Sequence, residues 1–124
     1  MMGRTHCLVP AALAAWLFGP DPTILLISAG TGLLPDIDEP QSTIGYRLFL
    51  LAKGFKGLVG HRTYSHSLVG IVTAASLAVI FNLPWMWLEA GLIGWVSHLV
   101  LDALSGGVPL WWPLYATKRE RWVL

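Results

Sequence analysis

One stretch of this sequence limits the possible folds more than any other: residues 68–88 include no charged side chain over 21 positions. A run of about 20 apolar residues is enough to cross the hydrocarbon core of a bilayer as a helix. Composition extends this indication to the whole chain, since 55% of its 124 residues are hydrophobic and only 12% are charged. Seven tryptophans also favour a membrane protein, because indole rings anchor at bilayer interfaces.

The same composition excludes several other classes of protein. High apolar content and a net charge of only +1 are incompatible with disorder. Cys7 is the single cysteine, which rules out a disulfide scaffold. Without a dense basic patch, no nucleic-acid partner is expected. The remaining alternatives are a membrane protein and a very apolar obligate oligomer.

Short helices are predicted before and after the segment between Pro35 and His66. Residues 85–104 form a second potential span, provided that His98 and Asp102 face protein or water rather than lipid. Nearer the N-terminus, the apolar segments 7–19 and 23–34 are separated by Pro20-Asp21-Pro22. We favour a helical hairpin here over one broken span, because such a breaker at mid-membrane would leave backbone groups unpaired. A cleavable signal peptide is a weaker alternative.

The basic residues all lie on one side of this topology, whereas the two turns on the opposite side, at residues 19–22 and 82–89, contain none. They are Arg4, Arg47, Lys53, Lys56, Arg62, Lys118, Arg119 and Arg121. Positive charge marks the cytoplasmic face, so both termini are expected there. Residues 44–58 mix apolar and basic side chains and predict an amphipathic helix on the inner surface. The expected fold is all-α: one domain over residues 1–124, a small polytopic bundle of about four short helices plus this interfacial helix, with a homo-oligomer as an open alternative.

Histidine and carboxylate side chains collect at the cytoplasmic end of the predicted bundle. They come from four separate segments and are His6, Asp36, Asp38, His61, His66, His98 and Asp102. His98 and Asp102 are four residues apart and therefore share one helix face. Imidazole nitrogen and carboxylate oxygen are both ligands of Zn²⁺. Taken singly, His6 is compatible with an interfacial position, the Asp36 turn with a solvated turn, and His61 with a contact to lipid phosphate. Together they predict a divalent-metal site.

Several of these segments resemble the YdjM-type family of bacterial inner-membrane proteins, which are described as predicted metal-dependent hydrolases. The resemblance rests on Leu34-Pro35-Asp36-Ile37-Asp38, on residues 61–68 (HRTYSHSL), on residues 97–102 (SHLVLD) and on residues 107–114 (GVPLWWPL). It covers nearly the whole chain and implies a multi-pass protein of the bacterial cytoplasmic membrane. Family members usually have a histidine where Glu39 stands, which leaves the role of Glu39 open.

That family is in turn remotely similar to the zinc-dependent phospholipase C and P1 nuclease group, all-helical enzymes with His/Asp metal clusters. The similarity implies one or two divalent ions, with Zn²⁺ favoured, held by His6, Asp36, His66, His98 and Asp102. In the resulting hypothesis, Asp38 or His61 is a base or a residue that orients a ligand, and Arg62 binds phosphate. The expected substrate is a phosphoester or a phospholipid at the cytoplasmic membrane surface.

Two other functions are compatible with the same residues. A non-enzymatic membrane protein would use the metal only structurally and assemble with partner proteins, and a closed four-ligand site would favour it. A transporter is less favoured, because transport sites lie near the bilayer midplane and this cluster lies at one end.

Overall fold

The computed structural model describes residues 3–38, 64–111 and 113–114, and within these ranges the chain is helical with no β-strand. The elements are α1 (Gly3–Phe18), α2 (Pro22–Thr31), a 3-10 helix (Leu34–Asp38), α3 (Leu68–Ile80) and α4 (Trp85–Ser105). The prediction of an all-α fold with about four helices is confirmed for this part of the chain. The amphipathic helix predicted at 44–58 lies outside the described residues.

The first two helices form a hairpin. Gly19 in the turn adopts a φ of 85°, a left-handed conformation that glycine enters at little cost. Asp21 caps α2, because its carboxylate accepts hydrogen bonds from two backbone N–H groups of the first turn at 2.8 and 3.1 Å. The Ser28 hydroxyl of α2 donates to the Pro10 carbonyl of α1 at 3.0 Å. This contact holds the helices side by side, so the hairpin is confirmed over a single broken span.

The uncharged run at 68–88 does not form one spanning helix. Helix α3 ends at Ile80. The chain then turns at Asn82, which has a φ of 51°, and Pro84 is the last residue before α4. The 13 residues of α3 extend only about 20 Å. Among the described helices, α4 alone, with 21 residues, is long and apolar enough to cross a membrane by length and composition. Its bounds agree closely with the predicted segment 85–104.

Helix α2 lies against both α1 and α4, α1 also packs on α4, and α3 packs against α4. The apolar centre of the hairpin and α4 is small, with Ala14, Ile24 and Ala90 fully or almost fully buried. Beyond α4 the chain folds back, and the Leu110 carbonyl accepts a hydrogen bond from the Leu68 backbone N–H at 3.0 Å. These contacts bring the start of α1, the 3-10 helix, the start of α3 and the end of α4 to one end of the molecule.

Burial is distributed unusually along these helices. Large apolar side chains are exposed on all four of them, including Trp16 at 81%, Leu26 at 73%, Ile80 at 68% and Trp85 at 68%. The most completely buried side chains include three histidines, His6, His66 and His98. An outer surface of this kind suits contact with lipid or with another apolar surface. The interior, by contrast, contains the polar groups that require a chemical explanation.

Candidate metal centre

Four side chains from three separate segments converge at the end of the bundle. Asp36 comes from the 3-10 helix, His66 from the turn before α3, and His98 and Asp102 from the last turns of α4. Each is buried, and each offers one nitrogen or oxygen atom within 4.8 Å of the atoms of the other three. We call these four residues the His/Asp cluster. Buried ionisable groups are stable only when they are paired or coordinate a metal.

The distances within the His/Asp cluster fit a single small cation. The Nε2 atoms of His66 and His98 are 3.3 Å apart. Asp102 Oδ2 lies 3.4 Å from the former and 3.5 Å from the latter. Asp36 Oδ1 is farther away, at 3.9 and 3.7 Å. Four ligands bound tetrahedrally at about 2.0–2.2 Å are about 3.3–3.6 Å apart. The two imidazoles and Asp102 Oδ2 have this spacing, and Asp36 Oδ1 lies slightly outside it. The donors therefore suit a divalent ion that accepts nitrogen and oxygen ligands, and several transition metals meet that description.

A backbone carbonyl fixes the protonation of His98. Its Nδ1 lies 2.7 Å from the carbonyl oxygen of Gly32. A carbonyl oxygen can only accept, so Nδ1 carries the hydrogen and donates it. In a neutral imidazole, the lone pair then resides on Nε2, the atom that faces His66 and the two carboxylates. This tautomer is the one that metal-binding histidines commonly have, with the second nitrogen held by a carbonyl group.

A short chain of hydrogen bonds holds His66. The indole N–H of Trp95 on α4 donates to the Ser65 carbonyl at 2.9 Å, which ties the turn before α3 to α4. The Ser65 hydroxyl lies 3.0 Å from Nδ1 of His66. A hydroxyl can accept from this nitrogen and so leave Nε2 free to face the His/Asp cluster. Both histidines of the cluster thus have a partner on the nitrogen that points away from it.

Asp102 faces three histidines. Its Oδ2 atom faces His66 and His98, whereas its Oδ1 atom lies 3.2 Å from Nε2 of His6. The His6 ring stacks on the His98 ring with centroids 4.0 Å apart and an interplanar angle of 31°. His6 therefore adjoins the cluster through Asp102 and through its ring contact.

Two glycines allow the helices to approach closely enough for this arrangement. A Cβ atom on Gly94 would overlap Thr31 Oγ1 and the Ser28 carbonyl, and would lie 2.8 Å from the Gly32 backbone nitrogen. A Cβ atom on Gly32 would overlap the His6 carbonyl. Gly94 and His98 are four residues apart on one face of α4. The close approach at Gly94 consequently places His98 opposite the Gly32 carbonyl.

The structure brings together some of the residues predicted from the sequence and does not describe others. Asp36, His66, His98 and Asp102 form the cluster, and His6 borders it. Asp38 is the last residue of the 3-10 helix, but its side chain lies outside the described part of the chain. His61, Arg62 and Glu39 also lie outside the described residues, so their predicted roles stay predictions.

Sequence reasoning missed the residues that orient the cluster: Gly32, Ser65, Gly94 and Trp95. One signal was available for Gly94, because its spacing from His98 places both on the same helix face. Ser65 is adjacent to His66 in the sequence. Nothing in the local sequence indicates the partners of Gly32 and Trp95, since both act across helices.

An apolar exterior around a buried His/Asp cluster defines this protein as a membrane-type helical protein with a potential metal site. The chain belongs to the YdjM inner membrane protein family, whose sequence model matches residues 1–124. Family membership and the cluster together fit a membrane metal protein. The metal itself is not identified by the donor set.

Individual relatives agree with this assignment. YvsG of Bacillus subtilis is 36% identical over 119 residues, which cover 91% of this chain and 74% of that protein. The inner membrane protein YdjM of Escherichia coli is 40% identical over 91 residues, which cover 67% of this chain and 45% of that protein. The chain thus spans less than half of the latter relative. No solved structure matches the chain significantly, so the remote similarity to the phospholipase C and P1 nuclease group stays a prediction.

Proposed function

We propose that this protein is a membrane-embedded metal-dependent hydrolase that acts on a phosphoester or phospholipid at the cytoplasmic membrane surface. The observation that carries the proposal is the buried His/Asp cluster, whose donor atoms are spaced like the ligands of one divalent ion. Zn²⁺ is the proposed metal, since it accepts imidazole and carboxylate ligands alike.

The residues of this chain have separate roles in the proposed reaction. Asp36, His66, His98 and Asp102 hold the ion, and the Gly32 carbonyl and the Ser65 hydroxyl keep the two imidazoles in place. A bound divalent ion supplies a Lewis acid that polarises the scissile bond and activates water near neutral pH. Asp38 or His61 is proposed as the base or as a residue that orients a ligand, and Arg62 as the group that binds phosphate.

A cavity beside the cluster supports a lipid as the substrate. Its volume is about 250 Å³. For comparison, an engineered apolar cavity of about 150 Å³ is large enough to bind benzene. Leu34, at the start of the 3-10 helix that carries Asp36, lines one part of it, and Trp95 lines another. Most of the remaining lining is also apolar and includes Ile27, Ile71, Ala75 and Trp87. Part of an acyl chain would fit this lining, and Leu34 and Trp95 lie two and three residues along the chain from Asp36 and His98 of the His/Asp cluster.

Filling part of the cavity is expected to affect a long-chain phospholipid substrate but not a small soluble phosphoester. Ala75→Leu adds volume inside the cavity, so turnover of a long-chain phospholipid should fall about tenfold or more. Hydrolysis of the small soluble ester bis(p-nitrophenyl) phosphate should change little. Both rates would be measured on protein in detergent, after chelation and again after Zn²⁺ is restored.

Ser76→Leu is the matched control for this experiment, because Ser76 is exposed on the same helix and does not line the cavity. It should leave both rates near those of the unmodified protein. Equal losses on both substrates in Ala75→Leu would contradict acyl-chain binding in the cavity. If neither substrate is hydrolysed in a metal-dependent way, the hydrolase proposal itself is contradicted.

One observation favours a second candidate function, a structural metal site in a protein that assembles with partners. Four protein side chains already offer ligand atoms, and structural zinc sites are commonly closed by four such ligands. Under this alternative, chelation should unfold the protein, and no substrate should be turned over even at saturating metal. Hydrolase function instead requires an open coordination position, which an ion held by these four ligands has when it is five-coordinate.

The proposed topology is multi-pass, with both termini and the His/Asp cluster on the cytoplasmic side. It is supported by the apolar exposed surface of all four helices and by the sequence, in which neither turn predicted on the opposite side contains a basic residue. The short length of α2 and α3 requires that neighbouring protein or local thinning of the bilayer compensate for the mismatch.

Cysteine labelling is expected to place the α1–α2 turn on the side of the membrane opposite the cytoplasm. In a Cys7→Ser background, Pro20→Cys should react with a membrane-impermeant maleimide in intact cells, because Pro20 is exposed in that turn. Ser105→Cys, at the opposite end, should react only after permeabilisation. The reverse pattern would contradict the proposed orientation, and labelling of both positions from one side would contradict the three crossings, by α2, α3 and α4, proposed between them.

A further inference from the structure

Among the described residues, His6 is the buried ionisable side chain that the four-ligand cluster does not use. It is 1% exposed, and its Nε2 atom lies 3.2 Å from Asp102 Oδ1. Within the described part of the chain, its Nδ1 atom has no hydrogen-bond partner. A buried histidine whose contact is with a single carboxylate requires an explanation for its position in the interior.

The two oxygens of Asp102 face different histidines. Oδ2 faces His66 and His98, the two imidazoles of the cluster, at 3.4 and 3.5 Å. Oδ1 faces His6. Because a carboxylate oxygen can only accept, a neutral His6 meets it best by carrying its hydrogen on Nε2. That protonation state prevents Nε2 from being a metal ligand and leaves the lone pair on Nδ1.

We propose that His6 is a positioning residue for the metal centre: its Nε2–H holds Asp102 Oδ1, and its ring supports the His98 ring, so that Oδ2 and Nε2 of these residues face the ion. The sequence predicted His6 as a direct ligand, so this is a different role for the same residue. The inference rests on the proposed metal site. Residues that orient metal ligands in this way typically raise metal affinity about 10–100-fold.

Two substitutions of His6 distinguish positioning from ligation. His6→Gln keeps a side-chain N–H group of similar reach, whereas His6→Leu keeps similar bulk and removes the donor. If His6 acts through Asp102, His6→Leu should weaken Co²⁺ binding about 10–100-fold. His6→Gln should recover most of that loss. At saturating Co²⁺, the visible absorption spectrum and the number of ions per chain should be the same in all three proteins.

The opposite result is equally clear. A Co²⁺ spectrum that changes at saturation in both variants, or the loss of one of two bound ions, would show that His6 is a ligand and would overturn the inference. Equal weakening in both variants with an unchanged spectrum would also overturn it, because the N–H group would then not matter. If His6→Leu fails to fold, His6→Gln alone still tests ligation through its spectrum. Unmodified protein that binds no Co²⁺ would defeat the metal site as well.

Discussion

Replacing Asp102 with asparagine is expected to weaken divalent-metal binding by more than about 100-fold, the upper range for residues that only orient ligands. The asparagine side chain would keep the shape of the original one and remove its negative charge. Asp102 Oδ2 lies within 3.5 Å of Nε2 of both His66 and His98, so the substitution removes an anionic ligand from the centre of the cluster. The N–H₂ group of the neutral amide would face either the ion or the Nε2–H of His6, and neither of these accepts a hydrogen bond.

The same helix provides a matched control for this substitution. Glu89 lies at the opposite end of α4, where its carboxylate accepts a hydrogen bond from the Trp85 indole at 2.8 Å. Glu89→Gln removes one carboxylate from α4 without touching the cluster, so metal affinity should stay unchanged. Affinity would be measured by chelator competition with Co²⁺ and Zn²⁺ on purified protein in detergent. If Asp102→Asn binds metal as tightly as Glu89→Gln, the His/Asp cluster is not the metal site.

Local sequence signals were sufficient for the parts of the fold that depend on nearby residues. Pro20, Asp21 and Pro22 mark the turn between α1 and α2, because a proline or a capping carboxylate acts within one helical turn. The spacing of His98 and Asp102 places both on one face of α4 for the same reason. The structure brings them into one cluster with Asp36 and His66.

Interactions across helices could not be predicted in this way. The partner of His98 is the Gly32 carbonyl, 66 positions away. Every residue has such a backbone carbonyl, so the residue type does not reveal which one accepts the hydrogen bond. The contact between His6 and Asp102 likewise depends on how α1 packs against α4.

The packing at Gly94 supports the second large prediction. Adding one methyl group there, in Gly94→Ala, should destabilise the folded protein by about 1–3 kcal/mol, as overpacking of a tight contact does. The added Cβ would meet the Ser28 carbonyl and the Gly32 nitrogen, which are backbone atoms and cannot rotate away. Helix α4 would have to move from α2. That movement would stretch the hydrogen bond between His98 and the Gly32 carbonyl, so metal affinity should fall together with stability.

Gly91 separates this effect from the general consequences of replacing a helical glycine. It lies one turn earlier on α4, and a Cβ atom there would meet only Thr31 Cγ2, at an ordinary 3.6 Å. Gly91→Ala should therefore be neutral or stabilise the protein by up to about 1 kcal/mol, the usual gain of alanine over glycine in a helix. Thermal unfolding midpoints in detergent and Co²⁺ affinities would be compared for both variants. Because both substitutions add the same group to the same helix, a lower midpoint and weaker Co²⁺ binding in Gly94→Ala alone would trace both effects to the contact between α2 and α4. Equal behaviour of the two variants would contradict the close approach that orients His98.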